Sequence, residues 1–555
     1  MGVDRADGVD GATMTAGTTT AGATTTPSVR TTAGATPAAV PPGPAGGAWP
    51  SRAARRVTDM VRAHPDLVVL AALVIIAVLA RGVLLTRAPL FLRRDSVAYF
   101  QVGWELANGL GFDLPLRRTP LYPLFVAGVV WLLGEDLRGL ALAQHLLGVV
   151  TVVATYFLGR AMFGRVAGTV AGLLAAISAP LLIYEHYILA EALFIPLLVL
   201  GVLLVVLAMQ RGSGRLYVTS GIILALAALS RPIGQALVPI APLAILAHHW
   251  GGQGDGLGGD PGGGRGPLWA NVRASVQAAL VPAALVLLGF AIILVPWSIR
   301  GSLTTGRVSG AGAMGQSLVG RIVRHDEGFV LPRPDSASPH EDARKTEIRS
   351  LILTQMNRDA RPSAINHRIR NVFGLTEPEA DAAMRDVAVE IFLSQPGRYV
   401  EGTLAKFRRL LVGEDERLRT HWATRKDGEL RDSWTAEASI AHLYSPPNVV
   451  QEREYANAEA VTRIFQPYVW GWLLLPLVVL GLGWGLVRGP RGPTILFLLT
   501  ILVLVFPSAA LVGYVPRYRY PVDPLLYVLA AGGLVAGVAL ARRGWARVGP
   551  GSARR

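Results

Sequence analysis

The chain has 555 residues, of which 51% are hydrophobic and 16% charged, with no cysteine and a mean hydropathy of +0.41. An ordinary soluble protein carries about 25% charged residues, so the deficit excludes a string of soluble domains. The missing cysteines exclude disulfide scaffolds, thiolate metal sites, iron-sulfur clusters and cysteine nucleophiles. Basic residues number 53 against 38 acidic, a formal charge of +15, which in a soluble chain would point to nucleic acid. Here the apolar residues gather in long uncharged runs, so the excess is read against a bilayer as an orientation signal, and no nucleic-acid partner is expected.

Residues 1–60 form the first expected segment. Met1 to about Pro50 consists largely of Ala, Thr, Gly and Pro, a composition that does not bury enough apolar surface to offset its ordering entropy, and a disordered cytoplasmic tail is expected. It has no apolar h-region of a signal peptide. Runs near the 20 apolar residues that a membrane helix needs then recur: Leu67 to Thr86, Gly139 to Gly159, Val166 to Tyr184, Ala192 to Gln210, Leu216 to Ser230, Ile233 to Trp250, Ala274 to Ser298, Pro467 to Val487, Gly492 to Val515 and Pro524 to Ala541. The expected fold is therefore an all-α polytopic membrane protein with about ten transmembrane helices. Thr119 to Gly134 is uncharged but short and contains Pro120 and Pro123. If it does not cross, the short basic loops Arg160 to Arg165, Gln210 to Arg215 and Arg488 to Arg491, together with Arg542 and Arg543, all fall on the side of the N-terminus. By the positive-inside rule that side is cytoplasmic, and the short run becomes an interfacial helix.

This topology expects a plasma-membrane protein with both termini cytoplasmic. An N-terminal membrane module covers 61–298 with an outer loop at 87–138. A small, mainly helical exoplasmic domain covers 299–466, where Glu377 to Phe392 and Tyr399 to Leu411 have helical apolar spacing. The last spans fill 467–541 and a tail follows at 542–555. The Gly-rich loop Gly251 to Gly266 contains no lysine and follows no strand, so it is a linker and not a phosphate-binding loop.

Several polar groups fall on the outer side. In the first loop Asp95 and Tyr99 are four residues apart and share a face if helical; Asp95 is a candidate functional carboxylate facing the headgroup plane, or a helix cap with Arg93 and Arg94 as interfacial anchors. Tyr122 lies nearby. The turn after the third span carries Glu185, His186 and Glu191, which are costly if they face lipid. Glu191 sits where a span begins, so its alternative role is to complement the helix dipole. Arg231, before Pro232, and Arg517 and Arg519, before the last span, offer forked donors suited to phosphate or to headgroup anchoring, and Tyr518 between the last two suits the wet edge of the bilayer. Arg81, about 21 Å along the first span at 1.5 Å per residue, is expected to snorkel to the interface.

These elements together resemble a known family. Asp95 with Tyr99, Thr119 to Pro123, Glu191 with Ala192 and Leu193, Arg231 with Pro232, Pro296 to Arg300, and Arg517 to Pro524 look like the glycosyltransferase family 39 group. That group has the GT-C membrane fold and is similar to protein O-mannosyltransferases and lipid A aminoarabinose transferases. The resemblance implies a hexosyl- or pentosyltransferase that takes a sugar from a polyprenyl-phosphate donor to an extracytoplasmic protein, lipid or cell-wall glycan, with inversion. It makes Asp95 and Glu191 the catalytic candidates, and Arg231, Arg517 and Arg519 the donor-phosphate candidates. Tyr99, Tyr122, Glu185, His186, Arg300 and Tyr518 are the pocket candidates. Many members have a second acidic residue directly after the catalytic one; here Ser96 follows. No cofactor is assigned, a divalent metal remaining a candidate with no ligands named. The competing classes are a non-catalytic envelope scaffold, in which Asp95, Glu191, Arg231 and Arg517 would be dispersed, and a transporter, which needs ionisable groups deep within its spans.

Overall fold

A computed structural model describes residues 64–87, 94–114, 118–252, 268–305, 314–324, 328–333, 342–358, 360–412 and 473–548. The expectations for the N-terminal tail, the Gly-rich loop, the end of the exoplasmic domain and the C-terminal tail lie outside the described residues.

Among the described residues the secondary structure is helical. In chain order the helices are α1 (Pro65–Arg87), α2 (Arg94–Ala107), α3 (Leu121–Leu133), α4 (Leu137–Phe163), α5 (Arg165–Ala176), α6 (Ala179–His186), α7 (Glu191–Arg211), α8 (Gly214–Ser230), α9 (Leu237–Gly252) and α10 (Leu268–Thr305). They continue with α11 (Met314–Arg324), α12 (Ala343–Met356), α13 (Pro362–Phe373), α14 (Glu377–Ser394), α15 (Pro396–Val412), α16 (Leu475–Val487), α17 (Arg491–Leu511) and α18 (Asp523–Val548). Short 3-10 turns at Pro232–Ala236, Pro516–Tyr518 and Tyr520–Val522 connect them.

Among the described residues seven helical segments are long and apolar enough to cross a bilayer: Pro65–Thr86, Leu137–Phe163, Glu191–Arg211, Pro232–Trp250, Val272–Arg300, Arg491–Leu511 and Pro516–Arg543. The expected span Val166 to Tyr184 is a pair, α5 and α6, bent by 47° at a short break. The expected spans at Leu216 and Pro467 are represented by helices of 17 and 13 described residues. The interfacial candidate α3 has 13 residues, about 20 Å of helix against a hydrocarbon core of about 30 Å. Helix α10 runs on to Thr305, past Ile299, where the exoplasmic segment was expected to open.

The helices bury a continuous core through α4, α7, α17 and α18, with Tyr156, Phe194, Phe497 and Tyr527 among its largest side chains. Large apolar residues such as Leu79, Val281 and Val479 are exposed, as lipid-facing surfaces require. Gly221 of α8 and Gly289 of α10 lie against each other's backbone, where a Cβ would overlap Val286 O or Val218 O. Small residues allow membrane helices to approach this closely. The polar segment has its own apolar cluster: Leu318, Ile352, Ile369, Met384 and Phe392 draw α11 to α14 together, with Leu511 of α17 packed against them. Thr376 and Glu379 form a reciprocal capping box at the start of α14, which satisfies donors that the helix leaves open.

Candidate active site

The polar residues that matter sit where helices start, stop or break. Asp95 lies in the first turn of α2, where a negative charge complements the helix dipole. Tyr99, one turn on, shares its face. Glu191 opens α7. Arg231 ends α8 in an extended conformation, φ −147° and ψ 134°, because the residue before a proline is driven out of the helical region; Pro232 thereby turns the arginine off the helix. Arg517 and Tyr518 lie on the 3-10 turn between α17 and α18, in a segment punctuated by Pro516, Pro521 and Pro524.

These residues line one cavity of about 490 Å³. Asp95 Oδ1 accepts from Arg118 Nη2 and Asp95 Oδ2 from Arg517 Nη1, each at 3.2 Å. Glu191 Oε1 stands 2.8 Å from Arg231 Nη1 and 3.9 Å from Arg517 Nε. The shorter of these pairs is close in distance but not aligned as a hydrogen bond, so it acts through charge. The Arg118 guanidinium lies over the Tyr99 ring, 4.0 Å from its centroid, and Arg231 lies 5.2 Å from the ring centroid of Tyr518. Burial pushes the Tyr99 phenol above its ordinary pKa, which keeps it a neutral donor.

Three guanidinium groups face two carboxylates here, an excess of one positive charge. Arg118 Nε, Arg231 Nη1 and Arg517 Nε are buried without a hydrogen-bond acceptor. Orphaned buried donors are costly, and a phosphate, with several strong acceptor oxygens, is chemically suited to satisfy them. Among the described residues no group of three His, Asp or Glu side chains has metal-binding geometry.

Asp95, Tyr99, Glu191, Arg231, Arg517 and Tyr518 thus meet on one cavity. The other candidates lie elsewhere. Arg519 is buried against Asp523, 3.0 Å away, and does not line the cavity. Tyr122 is fully buried behind Tyr99, edge-on at 5.1 Å. Arg300 lies over Trp297 near the end of α10, 4.9 Å from the ring centroid. Glu185 and His186 are not on the cavity either: they belong to a buried cluster with Arg81 and His145. Arg81 Nη2 donates to Glu185 Oε1 at 2.7 Å, and its Nη1 donates to Ala77 O and Ala176 O. The expected snorkelling of Arg81 is therefore corrected: a carboxylate on α6 and two backbone carbonyls hold the guanidinium inside the bundle, with 2% of the residue exposed.

Arg118 was legible only as a basic loop residue. Its signal was its place directly before the Thr-Pro-Leu-Tyr-Pro run in the loop that carries Asp95. Gln316, Ser317 and Gly320 of α11, and Pro362 and Ser363 of α13, also line the cavity, so the polar segment supplies one wall. No local motif in that segment announced this.

Residues 117–253 match the family model described as dolichyl-phosphate-mannose-protein mannosyltransferase. Over that segment the chain is similar to the protein O-mannosyltransferases. The match agrees with the resemblance carried by the motifs, and both lie within the GT-C glycosyltransferase fold family. Among solved structures, the oligosaccharyltransferase AglB from Archaeoglobus fulgidus, in complex with an inhibitory peptide and a dolichol-phosphate, aligns at 15% identity and a TM-score of 0.43 over 88% of this chain and 52% of its own. The present chain spans about half the length of that enzyme. ArnT from Cupriavidus metallidurans bound to undecaprenyl phosphate aligns at 12% identity and TM-score 0.34, over 86% of this chain and 79% of its own. The S. cerevisiae protein O-mannosyltransferase complex bound to the sugar donor aligns at 19% identity and TM-score 0.34, over 46% and 36%. No protein of curated function matches the chain in sequence.

Proposed function

We propose that this chain is a membrane glycosyltransferase that moves a sugar from a polyprenyl-phosphate donor to an acceptor hydroxyl, with the cavity opening on the extracytoplasmic side. The observation that carries this reading is the meeting of Asp95, Glu191, Arg231 and Arg517 on one cavity with unsatisfied arginine donors. A scaffold does not require such a meeting, and a transporter does not require it at one end of the bundle.

A glycosidase that expels an alkoxide needs a second carboxylic acid to protonate the leaving oxygen. A phosphate leaves without that help, so one base and a cationic clamp suffice. Asp95 accepts the proton of the acceptor hydroxyl as that oxygen attacks the anomeric carbon from the face opposite the phosphate. The carbon–oxygen bond to phosphate breaks, its electrons stay on the phosphate, and the configuration inverts. Arg231 and Arg517 hold the phosphate and stabilise the charge that grows on it, with Arg118 beside them. Asp95 is paired with Arg118 and Arg517. Entry of a phosphate draws Arg517 toward it and frees one Asp95 oxygen for the acceptor. Glu191 neutralises part of the arginine charge and holds Arg231 in place.

The test uses the purified full-length protein in proteoliposomes with polyprenyl-phosphate mannose, glucose and arabinose in turn, and delipidated cell-envelope extract as acceptor. Release of polyprenyl phosphate together with labelled acceptor from one of these supports the reading. Absence of release from all of them, in protein shown to be folded, contradicts it.

A further inference from the structure

The two carboxylates of the cavity come from separate parts of the chain, Asp95 from the start of α2 and Glu191 from the start of α7. We propose that Gln144 of α4 is a positioning residue that ties the Asp95 side of the cavity to the Glu191 side; this rests on the catalytic reading above. Gln144 lies on a long apolar helix, is 0% exposed and does not line the cavity.

A glutamine amide has two N–H donors and one carbonyl acceptor, and here each has a partner. Nε2 donates to Glu185 O at 2.9 Å and to Tyr187 O at 3.0 Å. Oε1 accepts from the Tyr122 hydroxyl at 2.6 Å. Two backbone carbonyls accept only, so the orientation of the amide is dictated by its surroundings.

Each arm reaches the cavity in a few contacts. The Tyr122 ring stands edge-on to Tyr99 at 84°; Tyr99 carries Arg118 on its face, and Arg118 bonds Asp95. On the other arm, Glu185 and Tyr187 bracket the end of α6, and the turn continues through Leu189, which lines the cavity, to Glu191. Helix α4 supports this turn further. His145 contacts Glu185 Oε2 at 3.2 Å and His186 at 3.0 Å. Gly148, one turn on, leaves room for the Glu185 carboxylate, which a Cβ there would overlap. A glutamate at position 144 would keep the acceptor and lose both donors; a leucine would lose all three bonds.

The experiment measures backbone amide exchange and steady-state kinetics on full-length protein in nanodiscs, with polyprenyl-phosphate mannose as the probe donor and the delipidated extract as acceptor. Gln144→Leu is expected to speed exchange roughly tenfold in both 95–107 and 187–191, whereas Tyr122→Phe speeds it in 95–107 only. On turnover, Gln144→Leu is expected to lower kcat by about 10- to 100-fold, as misplacement of catalytic groups does, with donor KM within about threefold of wild type. Adding Tyr122→Phe to Gln144→Leu is expected to lower kcat no further, the non-additivity of residues that act through one another.

Exchange unchanged in either segment of Gln144→Leu, or additive losses in the double variant, overturns the proposal. If Gln144→Leu does not fold, Tyr122→Phe decides: faster exchange confined to 95–107 supports the link, and unchanged exchange overturns it. A folded wild type that releases polyprenyl phosphate from none of the mannose, glucose and arabinose donors contradicts the proposed function, while the exchange measurements still decide the role of Gln144.

Discussion

The cavity and the Arg81 cluster are built from the same chemistry, arginine against carboxylate, and they differ in how tightly it is paired and how far it is open to a cavity. In the cluster, Arg81 and Glu185 are 3% and 6% exposed at the side chain and 2.7 Å apart. Both terminal nitrogens of Arg81 have acceptors and only its Nε is left without one, and His145 takes the second oxygen of Glu185. In the cavity the Asp95 side chain is 37% exposed, its two arginine bonds are longer at 3.2 Å, and three buried guanidinium N–H groups have no acceptor. The closed group acts as a clamp within the bundle. The open group has capacity left for an anion. Charge at the end of a membrane bundle is thus assigned by whether it opens on a cavity, and not by its presence alone.

The comparison breaks first at Arg81. Arg81→Met leaves Glu185 buried beside a lost counter-ion and is expected to destabilise the fold by about 3–5 kcal/mol, read as a lowered unfolding midpoint in detergent. Replacing the pair together, Arg81→Met with Glu185→Gln, is expected to cost less than the single change, because no lone charge remains. A single change as mild as the double would mean that the cluster is not a buried ion pair. The next effect lies in the cavity. Arg517→Ala leaves Asp95 its bond to Arg118 and is expected to raise donor KM by about 10- to 100-fold, the loss of a charge-assisted bond of roughly 1.5–3 kcal/mol; unchanged donor dependence would remove Arg517 from the phosphate clamp.

The smallest effect is a pH dependence away from both groups. Burial, with Arg321 and Arg409 nearby, lowers the Lys406 ammonium on α15 to about 8, below its ordinary 10.4. Between these values the unfolded chain binds more protons than the folded one, so stability rises with pH across that window. Below about pH 8 both forms are protonated and the cost of the buried charge is borne in full. The unfolding midpoint of wild type is expected to gain on that of Lys406→Met between pH 7 and pH 9.5, and parallel curves would contradict this.

Much of the site was legible because its residues sit at punctuation. Asp95 and Tyr99 at helical spacing, Glu191 at the first residue of a span, and Arg231 before a proline each have a local reason to face one end of the bundle. The elements with uninterrupted apolar runs were legible as well, whereas the break between α5 and α6 was not, since composition does not record a bend. Arg81 was misread because its partner Glu185 is 104 residues away in the chain, and a pairing at that separation leaves no trace in either local sequence. Gln144 gave no signal for the same reason. The wall from α11 and α13 depends on how the polar segment folds over α17, a tertiary outcome that its helical periodicity did not encode.

In the proposed function Asp95 is the base of a transfer from a phosphate-linked sugar. This role is tested most directly by Asp95→Asn in proteoliposomes, with whichever polyprenyl-phosphate sugar the wild type uses, and with binding of polyprenyl phosphate measured alongside. The account predicts a fall in kcat of about 10²- to 10⁴-fold with the lipid phosphate still bound. Transfer at the wild-type rate in folded Asp95→Asn would contradict it.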